Sequence, residues 1–173
     1  MKKTLLKLTQ ITVGRLALVD NYALTSKDAR VKELQKVERT FKKTYNVDMK
    51  VVYVDAKDKA LIADDSINGF RCNMTSKIVV FITNDLVKNA ETLLHELTHA
   101  YQAKYMTEKF NASKKELIKG KVSYRNAWHE RHARACANRL IQEYIDNRCF
   151  YTQISKAPAY KACLLYTSPS PRD

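Results

Sequence analysis

Ile78-Val79-Val80-Phe81-Ile82-Thr83, followed by an apolar-periodic run that reaches His95-Glu96-Leu97-Thr98-His99-Ala100, decides how this chain is read. The first stretch is β-branched and aromatic, the composition of a strand. The second lies in a predicted helix from about Lys88 to Tyr105, with Leu93, Leu94, Leu97 and Ala100 as its apolar positions. Residues four apart on a helix share a face, so His95 and His99 project together. Two neutral imidazole nitrogens at that spacing can hold one Zn²⁺. Glu96 lies about 100° round the helix from His95. From there it can reach a metal-bound water without being a ligand. The bland reading of the same helix is a surface with two solvated histidines. Against it stand the apolar positions beside the ligands and the strand immediately before. If that strand is an edge strand, it could bind substrate backbone by strand addition.

A catalytic zinc takes three protein ligands and keeps one position open. The third ligand has to come from elsewhere in the chain. Trp128-His129-Glu130-Arg131-His132-Ala133 offers three candidates on a predicted helix from near Asn126 to about Asn147. Ala133 and Ala137 lie on the same side of that helix as Glu130 and would let it pack close to the first helix. Glu130 is therefore favoured, with His129 and His132 left as alternatives. All four histidines of the chain fall in these two helices.

Together, His95-Glu96-Leu97-Thr98-His99-Ala100 and Tyr124-Arg125-Asn126-Ala127-Trp128-His129-Glu130-Arg131-His132-Ala133 resemble the small zincin metallopeptidases of phages and prophages. The likeness is to the gluzincin type, with a His-Glu-x-x-His helix and then a Glu-x-x-Ala helix, and covers about Ile78 to Ile145. It implies that His95, His99 and Glu130 are metal ligands and that Glu96 is the catalytic acid–base. It also implies one Zn²⁺ per chain and a protein or peptide substrate. Phage-repressor-clearing metallopeptidases show Glu-x-x-Ala-Asn in the second helix; here Ala137-Asn138 matches its end, but Arg134 stands at the Glu position. SprT-like proteases, which act on DNA–protein crosslinks, stand as an alternative: the basic charge and His95-Glu96-Leu97-Thr98-His99-Ala100 fit them loosely, but they use a third His and their Gly-containing ligand segment is absent. Tyr101, Tyr105, Tyr124 and Arg125 are the candidates for stabilising an oxyanion.

Around these helices the expected layout is α+β: a single small zincin-like domain. A short sheet packs against the active-site helix and a second ligand-bearing helix. A helix is predicted over Ser26 to Tyr45, capped by Thr25 or Ser26, with Val31, Leu34, Val37, Phe41 and Tyr45 at three-and-four spacing. Met49 to Val54 reads as a strand, Asn68-Gly69 as a turn, and Phe70 to Met74 as a short strand after it. Met1 to Thr25 is ambiguous between strand and helix. Met106 to Tyr124 reads as a polar loop in which Gly120 breaks any helix.

The chain has 173 residues, enough for one domain with a real core. With 45% hydrophobic residues it is not disordered by composition. No apolar run approaches the roughly 18 residues of a membrane span. Met1-Lys2-Lys3-Thr4-Leu5-Leu6 lacks the continuous apolar region of a signal peptide, so a cytoplasmic protein of a bacterial or phage-infected cell is expected. The last eleven residues, Cys163 to Asp173, resemble the translation of a transposase adapter used in sequencing libraries. The native domain is thus expected over 1–162, its own C-terminus truncated. Cys72, Cys136 and Cys149 remain, without Cys-x-x-Cys spacing, and fit reduced thiols.

Lys plus Arg is 31 against 18 Asp plus Glu, a net charge of +13. Lys27 to Lys43 alone carries seven basic and three acidic residues. Such a surface would attract nucleic acid weakly and nonspecifically. No helix-turn-helix or other nucleic-acid module is visible. The rival to a peptidase is a noncatalytic basic nucleic-acid-binding protein with a structural metal.

Overall fold

The computed structural model describes residues 19–63, 66–72 and 75–157. Among the described residues, Asp28 opens the first long helix, α1 (Ala29–Tyr45), by accepting a hydrogen bond from the Arg30 backbone N–H at 2.9 Å. The cap is thus Asp28, not Thr25 or Ser26. Thr25 is used one turn earlier, where its hydroxyl accepts from the Lys27 N–H. Val31, Leu34, Val37 and Phe41 are buried, as their spacing requires. The helix ends at Asn46, which takes the left-handed conformation (φ 50°) common at such ends.

Three strands follow: β1 (Lys50–Asp55), β2 (Gly69–Cys72) and β3 (Lys77–Ile82). Their order is β1-β3-β2, with β3 parallel to β1 and antiparallel to β2. The apolar run around Ile78 is therefore central, with both of its edges paired, and is not an edge strand. Its continuous hydrophobicity has the usual cause: both faces are covered. Ile78, Val80 and Ile82 face the helices, while Val79 and Phe81 face a smaller cluster with Val19, Val52, Val54 and Ile62.

Asn68-Gly69 is not a turn. Gly69 is the first residue of β2 and pairs with Val80. Its value there is space, because a Cβ would come within 2.8 Å of Thr92 Cγ2 and 3.0 Å of the Val79 carbonyl. The missing side chain lets β2 lie directly against the next helix.

That helix is α2 (Leu86–Tyr105), capped by Asp85. Asn89 clamps the strand end to it, accepting from the Thr83 N–H at 3.0 Å and donating to the Thr83 carbonyl at 2.9 Å. The polar stretch after Met106 is not a loop but a helix, α3 (Thr107–Ile118). Lys and Glu are good helix formers, and burying only Phe110 and Ser113 suffices to dock it. Gly120 (φ 69°) ends this helix rather than preventing it. Gly120 N–H donates to Leu117 and Lys121 N–H to Glu116, the paired closing bonds of a left-handed cap. The helix that follows, α4 (Trp128–Asn147), packs along α2 through Cys136, Ala137 and Leu140, with Ala133 buried on it.

The chain is thus a small single α+β domain, with α1, α2 and α4 on one face of the sheet. Of the ambiguous first segment, only a short 3₁₀ turn at Asp20–Tyr22 and a bridge from Ala23 to Val54 fall within the described residues. Residues 1–18, Met74, and everything from Pro158 through the adapter-like tail Cys163–Asp173 lie outside them. Among the described residues, no helix is long and apolar enough to cross a membrane.

Candidate metal centre

α2 and α4 bring His95, His99 and Glu130 to one point. His95 Nε2 and His99 Nε2 are 3.0 Å apart, and each lies 3.3 Å from a different oxygen of Glu130. For zinc–ligand bonds of about 2.0–2.1 Å, tetrahedral ligands stand about 3.3–3.4 Å apart. The Nε2–Nε2 distance is a little shorter than this, and each nitrogen stands at this spacing from one of the two Glu130 oxygens.

The protonation of His99 follows from its neighbours. Gln102 Nε2 donates to the His129 carbonyl at 3.0 Å, which turns Gln102 Oε1 toward His99. That oxygen can only accept, so the 2.8 Å contact requires a proton on His99 Nδ1. A neutral His99 then has a bare Nε2, aimed at His95 and at a carboxylate. The bare Nε2 and the Glu130 oxygen 3.3 Å away both present lone pairs, an opposition that a cation bound between them relieves. The donor set, two imidazole nitrogens and a carboxylate, suits Zn²⁺.

Burial alone would raise the Glu130 carboxyl, but the two imidazoles against it, when protonated, act as donors and cations that hold it well below the usual carboxylate range; a metal on their bare nitrogens would take the place of those protons. It is ionised at neutral pH, as a ligand must be. Glu96 behaves oppositely. Burial pushes its carboxyl up to about 7, with Glu130 adding to the shift and His99 and Arg71 opposing it. The two carboxyl groups thus have separated acidities within one site.

The alternative third ligands are placed elsewhere. His132 is fully buried with both nitrogens engaged: Nδ1 accepts a hydrogen bond from Gln102 Nε2 at 2.8 Å, and Nε2 donates to the Ile154 carbonyl at 2.9 Å. His129 Nδ1 sits 2.8 Å from the Ser113 hydroxyl, which also accepts from the His129 backbone N–H. Its Nε2 is 3.6 Å from Glu130 Oε1. Burial pushes the His129 imidazole down to about 4, against the pull of Glu130, so the ring is neutral. A Ser113 O–H donated to Nδ1 leaves the ring proton on Nε2, facing Glu130. His129 then steadies the carboxylate from behind.

Among the oxyanion candidates, Tyr101 packs against Tyr45, and the Tyr105 hydroxyl donates to the Asn46 carbonyl. Tyr124 is exposed overall, but partial desolvation of its hydroxyl raises it, and the nearby Glu130, by charge and hydrogen bond, and the Glu96 charge add to the shift. Of the three tyrosines, it is the one turned toward the cluster.

Sequence reasoning missed Gln102 and Ser113. Gln102 lies three residues after His99, hence on its face, and that spacing was the available signal. Gln102→Leu should lower zinc affinity about 10–100-fold, the usual effect of removing a group that orients a metal-binding His. Competition against a chromophoric chelator measures it. Unchanged affinity would mean that packing alone orients His99.

Residues 41–148 match a family model described as a protein of unknown function, DUF3920. No curated protein and no solved structure matches the chain.

Proposed function

From the premise that the chain belongs to the DUF3920 family, whose description assigns no activity, we propose that it is a zinc-dependent metallopeptidase. The observation that carries this reading is the convergence of His95 Nε2, His99 Nε2 and Glu130, with His99 held in the tautomer that leaves Nε2 bare. Three ligands leave one position for water or substrate, as catalytic zinc sites do. When bound, zinc supplies a Lewis acid that polarises the scissile carbonyl and acidifies a water.

The chain supplies the rest. Glu96, buried and shifted to about 7, accepts the proton of the attacking water and returns it to the leaving amine. Tyr124 can donate its hydroxyl proton in a hydrogen bond to the developing oxyanion. Strand addition at β2 would hold an extended peptide beside α2, since among the described residues only β3 pairs with β2. Among the described residues Cys72, Cys136 and Cys149 form no disulfide, and burial pushes the Cys136 thiol up to about 12, which supports a reducing compartment such as the cytoplasm.

The test is hydrolysis of a mixed peptide library. Cleavage should appear with the zinc-loaded chain, vanish after chelation and return with about one equivalent of zinc. Cleavage indifferent to chelation, or none with the zinc-loaded chain, would overturn the reading.

A further inference from the structure

Strand β2 carries a second feature beside the cluster. Alternation puts Gly69 and Arg71 on the same face of β2. Gly69 lies against Glu96, where an added Cβ would be 3.5 Å from Glu96 Cγ. Arg71 is next along that face and feels the Glu96 charge. From α3, Lys114 reaches the same place. The two cations share one ring, with Arg71 Cζ 6.0 Å and Lys114 Nζ 5.3 Å from the centre of Phe110. Phe110 in turn packs against His99 at 6.1 Å and His129 at 5.5 Å between ring centres. One aromatic ring therefore separates the pair from the metal-ligand cluster.

Both side chains are half-buried. Arg71 directs its Nε–H to Met49 Sδ at 3.4 Å, a weak acceptor. Among the described residues, neither cation forms an ion pair or a hydrogen bond with a carboxylate. Burial, and then the adjacent Arg71, pull the Lys114 ammonium below its ordinary range. Two like charges partly withdrawn from water are costly where, as among the described residues here, no carboxylate touches either and Glu96 acts on Arg71 only through its charge. An anion between them would relieve both desolvation and repulsion. Guanidinium offers a planar fork to a carboxylate, and ammonium adds a movable point charge.

We propose that Arg71 and Lys114 form an anion subsite beside the cluster that selects peptides through a carboxylate group. The substrate class rests on the peptidase reading, whereas the subsite's chemistry does not. The carboxylate can belong to an acidic side chain or to a peptide C-terminus. Phosphate groups of nucleic acid fit less well, because the pair is recessed beside the cluster rather than spread over the basic outer face of α1.

The test uses the metal-free full chain, so that zinc cannot capture the carboxylate. The amide spectrum is titrated with N-acetylglutamate amide, N-acetylglutamine and the neutral N-acetylglutamine amide, then with inorganic phosphate. One carboxylate probe should bind at least about tenfold more tightly than the neutral one, the scale of a charge-assisted hydrogen bond. The first probe winning identifies an acidic side chain, the second a chain terminus. Arg71→Gln and Lys114→Gln should each reduce the preference below about threefold. If Arg71→Gln fails to fold, Lys114→Gln, on the more exposed helix, decides alone. No carboxylate preference in the wild type, a preference retained in Lys114→Gln, or tighter binding of phosphate than of either carboxylate would overturn the subsite. A zinc-loaded chain that cleaves no peptide would sink the peptidase reading and leave this titration intact.

Discussion

Glu96→Gln should retain both fold and zinc and lose peptide hydrolysis by at least about 100-fold, since general-base catalysis contributes that much or more. The fold should survive because Gln has the shape of Glu and no charge to desolvate. Burial already pushes the Glu96 carboxyl up to about 7, so the site holds it partly protonated near neutrality and is adapted to a neutral group there. Zinc should stay because Glu96 is not one of the three groups that converge: that set is His95, His99 and Glu130. Hydrolysis should fail because an amide cannot take a proton from water at neutral pH. Metal content by elemental analysis, melting temperature and turnover of the same peptide separate the three claims. Loss of zinc would make Glu96 a ligand and the mechanism wrong. Retained turnover would put the base elsewhere.

The parts of this arrangement differ in how far the sequence disclosed them. Helical spacing makes His95 and His99 neighbours wherever α2 goes, so that half of the cluster needed no tertiary information. Bringing α4 to it did, and the hints were Ala133 and Ala137, small residues that mark the side where two helices approach closely. The same logic fails for α3. Its buried stripe is only Phe110 and Ser113, too short and too polar to stand out among lysines, although it sets Ser113 against His129 and Phe110 against His99. The central place of β3 was also illegible. A fully apolar run says that both faces are covered and nothing about which edges are paired. Gly69 and Gly120 were both read as breakers. One is a point of close packing inside a strand and the other a helix end, and a residue without a side chain gives no sign of which. His132, five residues beyond Ala127 on a helix buried on more than one side, could not be told from a ligand until its partners, Gln102 and Ile154, were in place.

The sharpest remaining difference lies between the neighbours Glu130 and His129. Glu130→Ala should weaken zinc binding by at least about a hundredfold: about 10–16 kcal/mol for a four-ligand site is roughly 3 kcal/mol for each ligand. His129→Ala should cost less than about tenfold, within the effect of a group that supports a ligand without touching the metal. Neighbouring helical residues point about 100° apart, so both cannot face the cluster equally. Glu130 takes the inner position, with its two oxygens 3.3 Å from His95 Nε2 and His99 Nε2. His129 stands behind it, tied through Nδ1 to Ser113 and 3.6 Å from Glu130 Oε1. Removing Glu130 leaves two nitrogens, too few to hold zinc well. Removing His129 leaves all three groups and frees one side of the carboxylate. Titrating both variants with zinc against a competing chelator ranks them, and a melting curve on each metal-free variant removes loss of fold as a cause. The reverse ranking would replace the carboxylate by a third histidine. The likeness would then shift from the gluzincin type to the three-histidine proteases that act on DNA–protein crosslinks, for which the +13 charge would acquire a use.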